Sequence, residues 1–192
     1  MKKRLAIFAS GSGTNAEKFF EYFQYSKEVE VSLLLSNKTE AFALKRAKNR
    51  NIDTSIFNKK DLYESENILN LLKDHQIDFI VLAGFLWLVP INLIAAYPNK
   101  IINIHPALLP KYGGKGMYGM RVHEKVKENE EKESGITIHL VNEKYDEGKY
   151  LIQKSTPISK TDSAEDIASK IHQLEYQYFA ETVDDYIQNY DY

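Results

Sequence analysis

The sequence lacks cysteine altogether, and it also lacks any long apolar run. Without cysteine there is no disulfide scaffold, no thiolate nucleophile and no metal site built on Cys ligands. No stretch approaches the ~18 consecutive apolar residues of a membrane-spanning helix. The apolar part of the N-terminus, Leu5–Ala9, is too short for the core of a secretory signal peptide. Histidine pairs at metal-binding spacing are missing too. We therefore expect a cytoplasmic protein with no membrane partner and no metal.

An excess of charge of either sign is also missing. The 25 Lys and Arg residues nearly balance the 27 Asp and Glu residues, which gives a formal net charge of −2. Domains that bind nucleic acid usually carry a basic face or stripe, so we predict small-molecule substrates and no nucleic-acid partner. Repeats, low-complexity tracts and linkers are absent from the sequence. We expect a single domain over residues 1–192, present as a monomer or a homodimer.

Short β-rich runs alternate with amphipathic stretches through the first hundred residues. This alternation indicates βαβ units and a doubly wound, mainly parallel open sheet of the Rossmann-like α/β class. The predicted strands are Arg4–Ala9, Val29–Leu35, Thr54–Phe57, Phe79–Ala83 and Lys100–Ile104. The predicted helices are Asn15–Tyr25, Glu40–Asn49, Asp61–His75 and Pro90–Ala96.

The pattern changes in the C-terminal half of the chain. Residues Pro106–Gly119 are rich in Gly and Pro, which is typical of a functional loop. The elements predicted after it are a short helix over Val122–Glu128, two strands over Ile136–Val141 and Tyr150–Pro157, and a long final helix over Ser163–Gln188. Asp166 stands three residues after Ser163, which predicts a capping box at the start of that helix. We expect the last strand to be antiparallel.

A Gly-rich loop, Ser10–Asn15, joins the first predicted strand to the first helix. Glycine lets the backbone turn sharply, and the N-terminus of a helix offers N–H groups to an anion. We predict that this loop binds phosphate, and a tight turn without a ligand is the alternative. The loop also fits the dinucleotide pattern G-x-G-x-x-A, which needs an acidic residue about 20 residues later. No acid precedes Glu40 there, so an NADP-type site is a second, weaker interpretation.

Asn103 and His105 stand at the end of a predicted parallel strand, and Pro106 ends that strand. Side chains alternate along a strand, so the amide and the imidazole share one face. Ligands of open α/β sheets bind at the carboxyl ends of the strands. An amide and an imidazole can stabilise a carbonyl oxygen that gains negative charge. A structural histidine that closes the strand is the alternative.

Asp146, in the run Tyr145-Asp146-Glu147-Gly148, is the best candidate for a carboxylate partner of His105. A nearby carboxylate raises the pKa of a histidine and orients its ring. A turn aspartate with a local hydrogen bond is the alternative interpretation. His139 shares a strand face with Thr137, which indicates either a residue behind the site or a half-buried side chain, and we do not count it among the candidates.

Several motifs occur together in one order along nearly the whole chain. They are Ser10–Asn15, Ser36-Asn37-Lys38 with Ala41-Phe42, Ala83-Gly84-Phe85, Asn103–Tyr112, Gly135–His139 and Asp146-Glu147-Gly148. In this combination the sequence resembles the folate-dependent phosphoribosylglycinamide formyltransferases. The resemblance implies transfer of the formyl group of 10-formyltetrahydrofolate to the amino group of N1-(5-phospho-D-ribosyl)glycinamide, a step of purine biosynthesis.

The resemblance also implies roles for individual residues. Gly13, Thr14 and Asn15 would hold the substrate phosphate, and Glu175 the ribose. Asn103 would contact the formyl group, His105 would act as general acid or oxyanion stabiliser, and Asp146 would raise the pKa of His105 and help accept the proton of the amine. The residues implied to line the pterin pocket are Leu86, Trp87, Leu88 and Val89, together with the loop around Asp146, and Asn103 would bind the folate at its formyl group.

Four features depart from the family pattern, one of which is Lys149 in place of a common Pro. The family usually has Met-Arg where this chain has Leu86-Trp87, and a basic folate-contacting residue near the position of Asp61. The loop Gly113–Gly119 differs from the usual pattern that contains His and Thr. A formyltetrahydrofolate hydrolase and the formyltransferases that act on tRNA or on sugar nucleotides share the Asn–His–Asp set, so they are the nearest rival functions.

Overall fold

The computed structural model describes residues 1–190, so the last two residues of the predicted domain lie outside the described part. The chain divides into two compact units, one over Met1–Ile102 and one that begins at Asn103. No helix within residues 1–190 is long and apolar enough to span a membrane. A single domain over the whole chain stays a prediction.

The N-terminal unit is built on four parallel strands in the order β3-β2-β1-β4. The strands are β1 (Lys3–Phe8), β2 (Val29–Ser36), β3 (Asp53–Ile56) and β4 (Phe79–Leu82). The helices are α1 (Thr14–Phe23), α2 (Phe42–Asn49), α3 (Lys59–Tyr63), α4 (Asn67–Asp74) and α5 (Ile91–Ala96). Both β1 and β4 end in runs of consecutive buried residues, as expected for strands that are covered on both faces.

Because these four strands are parallel, their carboxyl ends lie at one edge of the sheet. The segments that follow them there are the Gly-rich loop, the turn at Asn37, the turn at Asn58 and the segment Gly84–Val89. Ser10 connects three of these segments. Its N–H donates to the Gly84 carbonyl, and its hydroxyl donates to Asn37 Oδ1 and accepts from the Leu86 N–H.

One predicted helix of this unit is wrong. Residues Asp61–His75 form two helices, α3 and α4, instead of one. Asn58 begins α3 with a capping box in which its side chain accepts from the Asp61 N–H while the Asp61 carboxylate accepts from the Asn58 N–H. The chain then turns, and the Asn67 amide at the start of α4 donates to Asp61 Oδ1 at 3.0 Å. Local capping thus overrides the continuous helical pattern.

The C-terminal unit contains the end of β5 (Ile101–His105), followed by α6 (Met120–Glu128), β6 (Glu133–Leu140), β7 (Tyr150–Pro157) and α7 (Ala164–Gln188). The strand order in this unit is β5-β6-β7, and β7 pairs with β6 in the antiparallel direction. Helix α7 covers the strands with one buried face. The mainly parallel α/β class, the antiparallel last strand and the long final helix are confirmed, as is the capping box of Ser163 and Asp166.

Candidate active site

Three carbonyl groups of the Gly-rich loop accept hydrogen bonds from within the N-terminal unit. The Gly11 carbonyl accepts from the Ala43 N–H at 3.2 Å, and the Ser12 carbonyl accepts from Arg46 Nε at 2.9 Å. The Gly13 carbonyl accepts the first hydrogen bond of α1, from the Glu17 N–H. In a planar trans peptide the next N–H points opposite to the carbonyl. The N–H groups that follow these three carbonyls are therefore directed away from α2 and from the body of α1.

Gly13 occupies the position at which the loop becomes helix α1. It has φ 71° and ψ 27°, a left-handed conformation that favours glycine. A Cβ atom there would lie 2.5 Å from Ala43 Cβ and 2.6 Å from Ala43 Cα. Close approach of the loop to α2 therefore requires glycine at this position. Thr14 and Asn15, the other two predicted phosphate contacts, are half-buried and form the first turn of α1.

An ion-pair cluster supports the loop from α2. Arg46, whose Nε holds the Ser12 carbonyl, also places Nη1 3.4 Å from Glu17 Oε2. Arg50 binds Glu17 Oε1 through Nη2 at 2.6 Å and through Nε at 3.0 Å. Glu17 lies in the first turn of α1. The two arginines therefore bind both the loop, at Ser12, and the start of α1, at Glu17. No motif or periodicity in the sequence indicates these contacts between α1 and α2.

The residues predicted to line a pterin pocket lie on the segment after β4. Leu86 is exposed, Trp87 and Leu88 are half-buried, and Val89 is buried. The Trp87 ring contacts an aromatic cluster that includes Phe57, Tyr63 and Phe85. Lys59 Nζ lies 5.8 Å from the Trp87 ring centroid, within cation–π range. Tyr63 Oη donates to the Leu88 carbonyl at 2.9 Å, so the segment is held at two points.

A cavity of about 630 Å³ opens at the same edge of this unit. It is lined by Asn37, Lys38, Thr39, Glu40, Ile56, Phe57, Asn58 and Asp61. The N–H of Asn58 and the side chain of Asn67 hold the pKa of Asp61 below its usual value. Asp61 is therefore a helix-capping carboxylate, and the basic folate-contacting residue expected near this position remains a prediction.

In the C-terminal unit, Asn103, His105 and Asp146 belong to one cluster. Asn103 is half-buried on β5, and His105 at the end of that strand is only 4% exposed. Asp146 lies in the connection between β6 and β7, with φ 56°. Its Oδ2 is 3.5 Å from His105 Nδ1 and accepts from the Gly114 N–H at 2.8 Å. On its other nitrogen, Nε2, the His105 ring contacts the Tyr112 carbonyl at 2.7 Å.

His139, which the sequence did not place among the candidates, is also a member of this cluster. It is 2% exposed on β6, and its Nδ1 donates to the Leu140 carbonyl at 2.9 Å. In the neutral ring Nε2 is then an acceptor, and it lies 3.1 Å from Asn103 Nδ2. The same nitrogen is 3.6 Å from Asp146 Oδ1. A polar side chain inside the buried run Ile136–Leu140 was the signal in the sequence, but the pairing of β6 beside β5 was needed to interpret it.

The protonation states in the cluster follow from burial and charge. Burial lowers the pKa of His105 below its usual value, although the Asp146 carboxylate and the Tyr112 carbonyl partly offset this by raising the pKa. Burial raises the pKa of Asp146, but the neighbouring His139 ring, the charge of His105 and the Gly114 N–H outweigh it, so the pKa of Asp146 is lowered. At neutral pH the cluster therefore holds a carboxylate beside a neutral imidazole.

Two further residues of this unit concern binding and stability. Glu175, the predicted ribose contact, is buried on α7 with 7% of its surface exposed.

His123 on α6 is 2% exposed, and its Nδ1 has no hydrogen-bond partner. Burial, with the charges of His172 and His105, lowers the pKa of His123 to about 4. His123 is therefore buried in its neutral form.

The lowered pKa of His123 predicts how the free energy of unfolding depends on pH. The folded-state pKa of about 4 lies below the usual 6.5, so the unfolded chain binds the proton more tightly. The contribution to stability is fully present above pH 6.5 and is lost as the pH falls towards 4. It amounts to roughly 3 kcal/mol. Urea unfolding at about pH 7 and about pH 4.5 should show a smaller loss of unfolding free energy for His123→Leu than for wild type, and an equal loss would contradict this assignment.

Comparison with known proteins identifies the chain. Residues 3–183 match the sequence profile described as formyl transferase. The chain belongs to the formyl transferase family. This formyl transferase is 34% identical over 187 residues to the phosphoribosylglycinamide formyltransferase of Bacillus subtilis, covering 94% of this chain and 93% of that protein. The family resemblance drawn from the sequence is confirmed.

A plant relative and a crystal structure agree with this assignment. The chloroplastic phosphoribosylglycinamide formyltransferase of Arabidopsis thaliana is 38% identical over 188 residues, or 95% of this chain, but the chain spans only 64% of that relative's length. The crystal structure of phosphoribosylglycinamide formyltransferase from Bacillus halodurans superposes with a TM-score of 0.87 at 35% identity, covering 97% of this formyl transferase and 96% of that chain.

Proposed function

We propose that this formyl transferase moves the formyl group of 10-formyltetrahydrofolate to the amino group of N1-(5-phospho-D-ribosyl)glycinamide, as its place in the family implies. The observation that carries the proposal is the Asn103–His105–Asp146 cluster, in which an amide, a buried imidazole and an ionised carboxylate meet at the end of β5. This combination suits acyl transfer, because it offers hydrogen-bond donors to an oxyanion and an acceptor for the proton of the nucleophile.

Asn103 is assigned to the oxyanion. One hydrogen of its Nδ2 is directed at His139 Nε2, 3.1 Å away. This contact fixes the orientation of the amide group, because only the nitrogen of the amide can donate to Nε2. The second hydrogen of Nδ2 is then available for the formyl oxygen. His105 completes the stabilisation or supplies a proton, and Asp146 accepts the proton that the amine loses. In the overall step the amine nitrogen bonds to the formyl carbon, the bond from that carbon to the folate nitrogen breaks, and the folate nitrogen gains a proton.

The binding roles follow from the loops. The outward N–H groups of the Gly-rich loop, at the start of α1, suit the substrate phosphate, which Gly13, Thr14 and Asn15 would hold. We assign the ribose to Glu175. The residues proposed to contact the pterin are Leu86, Trp87, Leu88 and Val89, with Asn103 at the formyl group.

Gly13→Ala should weaken nucleotide binding and also destabilise the fold. The new Cβ would overlap Ala43 and meet a φ of 71° that alanine rarely adopts. We expect a loss of about 1–3 kcal/mol in unfolding free energy and a rise of about tenfold or more in the KM for the nucleotide. Gly11→Ala is the matched control, since a Cβ there meets nothing within 4 Å. Equal behaviour of the two variants would show that the loop does not need its tight contact with α2.

The function is tested by the release of tetrahydrofolate from 10-formyltetrahydrofolate with and without glycinamide ribonucleotide. Release that depends on the nucleotide supports the transferase. Release without the nucleotide would instead indicate a hydrolase. No release, together with saturable binding of NADPH, would favour the dinucleotide interpretation of the Gly-rich loop. The finer expectations of a cytoplasmic location, a monomer or homodimer and a single domain remain part of this proposal, although the Arabidopsis relative is named chloroplastic.

A further inference from the structure

The His105 ring has a carbonyl oxygen on one side and a carboxylate on the other. Its Nε2 lies 2.7 Å from the Tyr112 carbonyl oxygen. A carbonyl oxygen can only accept a hydrogen bond, so Nε2 must carry the hydrogen. In the neutral ring, the remaining nitrogen, Nδ1, then has a lone pair, and it lies 3.5 Å from Asp146 Oδ2. The two ring nitrogens are thus made inequivalent by their neighbours.

Tyr112 holds its carbonyl in this position with an unusual backbone. Its φ is 58°, in the left-handed region that a bulky residue rarely adopts unless its surroundings stabilise it. The side chain provides that anchor. Tyr112 Oη donates to Glu131 Oε1 at 2.8 Å and accepts from Asn129 Nδ2 at 2.8 Å. Lys111 binds the same Glu131 oxygen at 2.9 Å.

The turn that begins at Tyr112 also holds the carboxylate. Two residues later, the Gly114 N–H donates to Asp146 Oδ2 at 2.8 Å. Between them, Gly113 passes so close to Asp146 that a Cβ on Gly113 would lie 3.3 Å from the Asp146 Cβ. One short turn therefore fixes both the imidazole, through the Tyr112 carbonyl, and the carboxylate, through the Gly114 N–H.

We propose that Tyr112 is a positioning residue that locks His105 in the tautomer protonated at Nε2, so that Nδ1, which faces Asp146, is the atom that gains and releases a proton. The phenol anchors the strained turn, and the turn selects the tautomer. The proton taken up at Nδ1 enters the space between imidazole and carboxylate, where an Nδ1–H can pair with Oδ2. The catalytic part of this inference rests on the proposed function, but the tautomer does not.

The tautomer is measured directly by NMR of protein labelled with ¹⁵N in its histidine rings, with the His105 signals assigned by their loss in His105→Gln. We expect wild type to show Nε2–H and an unprotonated Nδ1 at neutral pH. Tyr112→Gly keeps easy access to positive φ but removes the anchor, and we expect it to show a mixture of tautomers. Tyr112→Phe removes only the hydroxyl and should fall between the two. Tyr118→Phe, at an exposed tyrosine nearby, is the control and should match wild type.

Kinetics separate positioning from binding in the same variants. Because a wrong tautomer impairs catalysis by histidine, Tyr112→Gly should lose kcat by about tenfold or more while both KM values stay within about twofold. An Nδ1–H tautomer in wild type would overturn the proposal, as would Tyr112→Gly with the wild-type tautomer and kcat. If Tyr112→Gly does not fold, the His105 tautomers of wild type and Tyr112→Phe still test the proposal. If wild type shows the Nε2–H tautomer but does not transfer formyl, the proposed function fails and the assignment of the ring stands.

Discussion

Asn103→Ala should lower kcat by about 10²–10³-fold, the usual loss when one donor to an oxyanion is removed. In the proposed mechanism the second Nδ2 hydrogen of Asn103, the one not directed at His139, donates to the formyl oxygen, and His105 adds to the stabilisation or supplies a proton. The variant also leaves His139 Nε2 without its contact at 3.1 Å, which should cost about 1 kcal/mol of stability but not the fold. Steady-state kinetics with both substrates and urea unfolding measure the two effects.

Asn103→Asp sharpens this test. Aspartate has nearly the same shape but replaces the donor Nδ2 with an acceptor oxygen, so it should lose as much kcat as Asn103→Ala. Asn70→Ala, at an exposed position on α4, is the control for loss of an asparagine and should keep wild-type turnover. Near-normal turnover of Asn103→Ala would contradict the catalytic role proposed for Asn103.

Asp146→Asn should lower kcat by about 10²-fold or more, within the usual range for loss of an acid–base group. Asparagine can adopt the φ of 56° and can still accept the Gly114 N–H, so the main change is the loss of negative charge beside His105 Nδ1. The carboxylate raises the pKa of His105 against the larger effect of burial. Without it the pKa of His105 falls further, and the imidazolium loses its proton at lower pH.

The fall in the pKa of His105 predicts the direction in which the pH dependence of kcat changes in Asp146→Asn. Any limb of the kcat profile that reports the His105 imidazolium should move to lower pH in Asp146→Asn, and NMR titration of the His105 ring should show the same direction. Besides Asp146, the titratable side chains whose electrostatic interactions involve His105 are His139 and His123. Glu147→Gln removes the neighbouring, exposed carboxylate and should change neither kcat nor the profile. An unchanged profile in Asp146→Asn would contradict the role given to Asp146.

The layout of the sheet could be predicted from the sequence because its signals are local. The buried runs of β1 and β4 and the amphipathic pattern of α1 need no knowledge of distant contacts. The shared face of Asn103 and His105 follows from the alternation of side chains along β5. The division of Asp61–His75 into α3 and α4 was missed because a capping box at Asn58 competes with a continuous helical pattern.

The rest of the cluster depends on contacts between residues far apart in the chain. His139 meets Asn103 from a strand 36 residues later, and nothing in the spacing of either residue indicates that contact. Tyr112 could not be recognised because its positive φ is set by Asn129 and Glu131. Gly148 next to Asp146 was a useful signal, since a Cβ there would lie 1.6 Å from the Leu140 carbonyl oxygen and only glycine lets the two segments pass.

We propose that this chain transfers the formyl group itself from the folate to the nucleotide amine. This proposal can be tested with 10-formyltetrahydrofolate labelled with ¹³C in the formyl group, by following the label in the presence of glycinamide ribonucleotide. We predict that the label appears on the amine of the nucleotide in an amount equal to the tetrahydrofolate released, and that Asn103→Ala slows both together. Label recovered as formate, with the nucleotide unchanged, would contradict the account.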